Sequence, residues 1–99
     1  MDLDEICKLI LHVEIIVVRR RFKDHADRII DIMIQLKEKY NAERIVLGSD
    51  FIYYMKNKLD KVGSYMIDDK AIEVQVADTL ANVYRRYRRT AENFKITML

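Results

Sequence analysis

Residues 24–40, DHADRIIDIMIQLKEKY, constrain this chain more than any other stretch. At about 100° per residue, Ala26, Ile29, Ile30, Met33, Ile34, Leu36 and Tyr40 fall on one very broad apolar arc. Arg28, Asp31, Gln35 and Glu38 hold the narrow polar side, and Asp24 stands where an N-cap belongs. A helix with so wide an arc needs cover from more than one element, or from a partner chain. Whatever else the chain forms has to supply that cover.

The preceding run supplies one candidate. In LILHVEIIVV, residues 9–18, the side chains Leu9, Leu11, Val13, Ile15 and Val17 alternate with Ile10, His12, Glu14, Ile16 and Val18. One face is wholly apolar and the other mixed, which predicts a strand buried on one side and partly on the other. A helix is the alternative, because Ile6, Ile10, Val13 and Val17 also match its spacing. Downstream, ERIVLG reads as a short strand ending at Gly48, with Ser49 capping a helix over 50–62 and Gly63 as its C′ glycine. Residues 64–76 alternate on both sides of Asp68-Asp69-Lys70 and predict a hairpin. A helix is expected over 78–93, and the tail FKITML either adds an edge strand or frays. No linker or repeat divides residues 1–99, so the expectation is one α+β domain, a small mixed sheet covered by helices.

Composition narrows the function classes. Ninety-nine residues allow one modest core. Cys7 is the only cysteine, which excludes an intrachain disulfide and fits a reducing compartment. Apolar runs such as Ile15–Val18 are far short of the ~20 residues of a membrane span. The acidic first residues, with no small-residue cleavage site after them, argue against a secretory signal. High charge and only two Gln fit a hyperthermophile protein, whereas the absence of Pro runs against that pattern.

Catalytic and metal motifs are sparse. His12, His25 and Cys7 are the soft-ligand candidates, at no metal-binding spacing. HVE at 12–14 matches half of a zinc-deaminase signature whose Cys half is missing, so His12 reads as a strand residue and His25 as a first-turn helix residue. LGSD at 47–50 puts a glycine at a strand-to-helix turn that can hold an anion, but a helix cap is the plainer reading. Tyr53 and Tyr54 sit off the apolar stripe of their helix, at positions that suit an interface. No catalytic residue, metal or cofactor is expected, and the chain reads as a non-enzymatic binding module.

Charge distribution points to a partner. The net charge is +2, yet residues 84–99 alone carry +4 and residues 19–28 carry +3. On the expected last helix Val76, Leu80, Val83, Tyr84, Tyr87, Ala91 and Phe94 share one side, which makes both tyrosines core or core-edge residues. Arg85, Arg86, Arg88 and Arg89 fan across the opposite side, where Glu92 can pair with Arg88 at i,i+4. Asp78 and Glu92 cannot neutralise four arginines, and guanidinium matches phosphate geometry. The competing reading is a solvated face laced with weak ion pairs. Arg19, Arg20 and Arg21 form a second cluster, which joins the first in one patch only if the fold brings the two together.

In size, in Ile- and Arg-rich character and in the segment ERIVLGSDFIYYMKNKLDKVG, the chain resembles small uncharacterised proteins of crenarchaeal filamentous viruses, the lipothrixvirus and rudivirus group. The resemblance implies a soluble viral protein made in the cytoplasm of a hyperthermophilic host, and it carries over no catalytic residues; the domain itself reads as thermostable. The functional expectation is contact with DNA or RNA backbone through the Arg85–Arg89 face. The alternative is a homo-oligomeric protein-interaction module. A homodimer is expected in either case, from the wide arc on 24–40 and the apolar tail.

Overall fold

A computed structural model describes residues 3–19, 21–55 and 57–99. In chain order the elements are α1 Leu3–Lys8, β1 Val13–Val17, α2 Ala26–Lys39, β2 Val46–Leu47, α3 Ser49–Met55, β3 Met66–Ile67, α4 Ile72–Tyr87 and β4 Phe94–Met98. Turns of 3-10 helix occupy Phe22–His25 and Leu59–Val62. This is the α+β class the patterning implies, but the sheet is not mixed. β1 pairs with β4 and β2 with β3, both in parallel, as two separate two-stranded sheets.

β1 sorts its side chains by alternation. Ile16 and Val18 pack with Ala26, Ile29 and Ile30 of α2 and with Met55, Leu59 and Val62 from the segment after β2. Val13 and Ile15 point the other way, onto Cys7 of α1 and Leu80, Val76 and Val83 of α4. Helices therefore cover the β1·β4 sheet on both faces. Of the α2 arc, Ala26, Ile29, Ile30, Met33 and Ile34 pack within the chain, whereas Leu36 and Tyr40 are only half-buried and line an apolar depression, and the tail forms β4.

Several boundaries differ from the sequence reading, each for a local reason. Phe22 packs against the rings of Phe51 and Tyr54, and the chain winds into a 3-10 turn there. Asp24 lies inside that turn, and His25 becomes the N-cap of α2 without a side-chain bond. At its far end α2 closes as a Schellman motif: Asn41 is left-handed at φ 49, Asn41 N–H donates to Glu38 O and Ala42 N–H to Lys37 O. The expected helix over 50–62 is two pieces, α3 and the turn Leu59–Val62. Ser49 does not cap α3. Asp69 does so from a distance, accepting from Ser49 N at 2.8 Å and Ser49 Oγ at 2.7 Å.

The expected hairpin is absent. Ile72, Val74 and Val76 alternate, but Ile72, Val76 and Leu80 also repeat at helical spacing, and α4 begins six residues early. Ala71 N–H closes a turn onto Asp68 O, and the Gln75 amide donates to Asp69 O. α4 also stops six residues early, at Tyr87, because Arg88 adopts φ 54. Residues 89–93 then lead into β4, where Asn93 O accepts from Val13 N–H and Asn93 Nδ2 donates to Cys7 O and Ile10 O. Among the described residues no helix is long and apolar enough to cross a membrane.

Candidate nucleic-acid interface and a polar cleft

The arginine-rich end of α4 takes its form from where the helix ends. Arg88 is drawn into the helix terminus: its Nη1 donates to Tyr84 O at 3.2 Å and Arg85 O at 3.1 Å, and its guanidinium lies 5.1 Å from the Tyr84 ring centre. A cation on the last carbonyls complements the helix dipole, so this side chain has a structural task. Arg85 donates to Asn82 Oδ1 at 3.1 Å. Arg86 and Arg89 are exposed. Among the described residues no carboxylate lies within ion-pairing distance of Arg85, Arg86, Arg88 or Arg89. The expected Arg88–Glu92 pair is not formed, because the helix that would have aligned them has ended.

Tyr87 corrects the sequence reading most sharply. It follows the helical row of Leu80 and Val83, yet it is 67 % exposed. α4 runs one turn past Val83, the last of its side chains packed on the Cys7–Val13–Leu80 cluster, so the ring projects beyond the covered surface. Thr79, Asn82, Val83, Arg86 and Tyr87 form a shallow depression of about 280 Å³. Tyr84 is half-buried, as expected of a core-edge residue.

The second basic cluster lies elsewhere. Arg19 and Arg21 are exposed just after β1, whereas α4 reaches β4 at the opposite end of the same five-residue ladder. About 13 Å of strand separates the two ends, so the fold does not merge the clusters. Arg20 lies outside the described residues.

The remaining candidates resolve as follows. Cys7 is buried, and burial together with nearby Asp4 pushes its thiol pKa up, away from a reactive thiolate. The anion-holding capacity of the 47–50 turn is taken by Asp69, whose own pKa is lowered by the hydrogen bonds from Ser49. Tyr53 is 82 % exposed and stacks edge-on against Tyr54, which in turn leans on Phe22. His25 is half-buried in the turn before α2. Among the described residues no group of three or more His, Cys, Asp or Glu is placed to hold a metal ion.

One constellation was largely missed. Glu14, on the mixed face of β1, points under α2 with its side chain only 8 % exposed. It accepts from Thr97 Oγ1 at 2.6 Å, and His12 Nε2 lies 2.9 Å from its other oxygen. An ionised carboxylate can only accept, so the His12 Nε2 carries the proton. The imidazole is stacked on Tyr40 at 5.7 Å. Burial would raise the Glu14 pKa, but hydrogen bonds from His12 and Thr97 and the positive field of Lys95 outweigh it and leave the pKa lowered. Around this pair opens a cleft of about 330 Å³ between α2 and the β1·β4 sheet, to which Arg28, Lys39 and Lys95 contribute. The available signal was Glu14 itself, a carboxylate inside a β-branched run.

No protein-family model, curated protein or solved structure matches this chain.

Proposed function

We propose that this protein is a non-enzymatic module, of viral origin as its sequence resemblance implies, that binds single-stranded nucleic acid without strong sequence preference. The observation that carries this reading is the exposed Tyr87 ring beside Arg86, with Arg85 and Arg89 close by in the chain. An aromatic face next to guanidinium groups offers a base a stacking surface and its phosphates a set of donors, which is how sequence-tolerant single-strand binders work. The arginines sit in the last turn of α4 and beyond it, so they do not form the first-turn array with which a recognition helix reads base edges. The test is fluorescence anisotropy with labelled single-stranded and duplex oligonucleotides. Single strands should bind more tightly, and Tyr87→Ala should cost about 1–3 kcal/mol of binding while Tyr87→Phe retains it. Equal affinity for duplex, or an unaffected Tyr87→Ala variant, would refute the reading.

A second reading has its own support. An apolar groove of about 810 Å³ runs between α1, β1 and α4, beside an edge of β1 that no strand pairs among the described residues. Leu9, Leu11 and Ile72 border this region at 81 %, 77 % and 73 % exposure. A second copy of the chain, joined through this groove in a two-fold dimer, would cover them. Light scattering at high micromolar concentration should give a dimer mass that Leu11→Asp with Ile72→Lys reduces to a monomer mass. A monomer for the unmodified protein would rule this out.

A further inference from the structure

We propose that the cleft between α2 and the β1·β4 sheet binds a small phosphate monoester. Its charge is unbalanced in one direction: Arg28, Lys39 and Lys95 line it against the single carboxylate of Glu14. That carboxylate already accepts from His12 and Thr97, and no lysine or arginine lies within ion-pairing distance of it among the described residues. Lys95 lends Glu14 a favourable field, but none of the three cations is held in a contact ion pair among the described residues, so an incoming dianion meets donors that no carboxylate has claimed by direct contact. Glu14 repels such a ligand, but its hydrogen-bonded position on the wall leaves the lining with a net formal charge of +2 before His12 is counted.

Shape and polarity select the class. A volume of about 330 Å³ is at the lower end of small-molecule sites and exceeds what a lone phosphate needs. Ile32, Leu36 and Ile96 supply an apolar part of the wall, and Gln35 offers an amide. The lining thus combines cations suited to one phosphate group with apolar side chains suited to a compact organic substituent. The side chains come from α2, β1 and β4, so the site exists only in the folded chain. It is separate from the arginines at the end of α4.

The test is an NMR titration of backbone amides with glycerol 3-phosphate, with inorganic phosphate and glycerol as separate arms, at constant ionic strength. Saturable shifts confined to residues 12–14, 28–39 and 95–97, at low millimolar concentration or below, are expected with the monoester. Inorganic phosphate should bind more weakly, and glycerol not at all. Lys95→Gln and Arg28→Gln alter exposed side chains, and each should weaken binding about tenfold through loss of one charge-assisted contact. Arg86→Ala with Arg89→Ala should leave the titration unchanged, which separates this site from the nucleic-acid reading. No saturation by about 10 mM, an affinity weaker than any purposeful site requires, would overturn the proposal. So would tighter binding of inorganic phosphate than of the monoester, or shifts indifferent to both Lys95→Gln and Arg28→Gln.

Discussion

Replacing Arg86 and Arg89 together with alanine should flatten the salt dependence of nucleic-acid binding without unfolding the protein. Of the four arginines at the end of α4, Arg88 is held on the carbonyls of Tyr84 and Arg85, which leaves Arg85, Arg86 and Arg89 to meet phosphates. Each phosphate contact on a single strand contributes about 0.7 to the slope of log affinity against log salt, so three contacts give a slope of about −2. Between about 50 and 200 mM salt the affinity then falls roughly 20-fold. With only Arg85 left, the slope becomes about −0.7 and the same change of salt costs roughly 2.5-fold. Neither replaced side chain bonds to another described residue, so stability should move by no more than about 0.5 kcal/mol. The assay is anisotropy with a labelled oligothymidylate over four salt concentrations, with thermal melting alongside. Arg88→Ala is the contrasting variant: it should lower the melting temperature, through loss of its two bonds to the helix terminus, and leave the slope nearly unchanged. A double variant with the parental slope, or an Arg88→Ala variant with a flattened one, would refute the assignment of phosphate contacts.

Other perturbations test the fold around these sites. Gly63 has φ 88 and ψ −142, a conformation open only to glycine, and a Cβ there would meet Lys37 Nζ at 3.3 Å; Gly63→Ala should cost about 2 kcal/mol by chemical denaturation. Leu59 is 1 % exposed in the larger cluster, so Leu59→Ala should lose about 2–5 kcal/mol in the same measurement. Cys7→Ser places a hydroxyl in the Val13–Leu80 cluster and should cost about 1–3 kcal/mol, with Cys7→Ala the milder change. Glu14 has a folded pKa below its ordinary value of 4.5, so its contribution to stability is complete above that value and fades as pH falls through the lower folded one. Thr97→Val should weaken that acid-range dependence in melting experiments, and an unchanged profile would show that the Thr97 bond does not hold the carboxylate down.

Much of the architecture was legible because it is encoded locally. The apolar arc of α2 repeats every three to four residues, and the β-branched run of β1 alternates. Each pattern is complete within a few turns or pleats of chain; α2 fills nearly all of its pattern, whereas β1 takes only Val13–Val17 of the run 9–18 and leaves Leu9 and Leu11 exposed before it. The same locality explains the failures. Residues 72–76 satisfy both a period of two and a helical spacing, and the choice fell to contacts elsewhere: Val74 beside Gly48, and Val76 on the Cys7–Val13–Leu80 cluster. The pairing of Val13 with Phe94 spans nearly the whole chain, and no window of sequence contains both partners.

The candidate sites divide along the same line. By itself the sequence determined the α+β class, the amphipathic helix and β-branched strand at its centre, and a concentration of cations near residues 84–99. Tertiary structure alone decided which cations are committed and which are available. Arg88 is folded back because α4 ends at Tyr87, Tyr87 is bare because the helix outruns the surface it packs on, and Arg19 and Arg21 are held at the far end of the ladder. Glu14, His12, Thr97, Lys95 and Arg28 meet around one cleft only because β4 lies beside β1 under α2. Periodicity sets which side of an element a residue occupies, but exposure and partnership depend on what packs against that side, a property of distant residues brought together by folding.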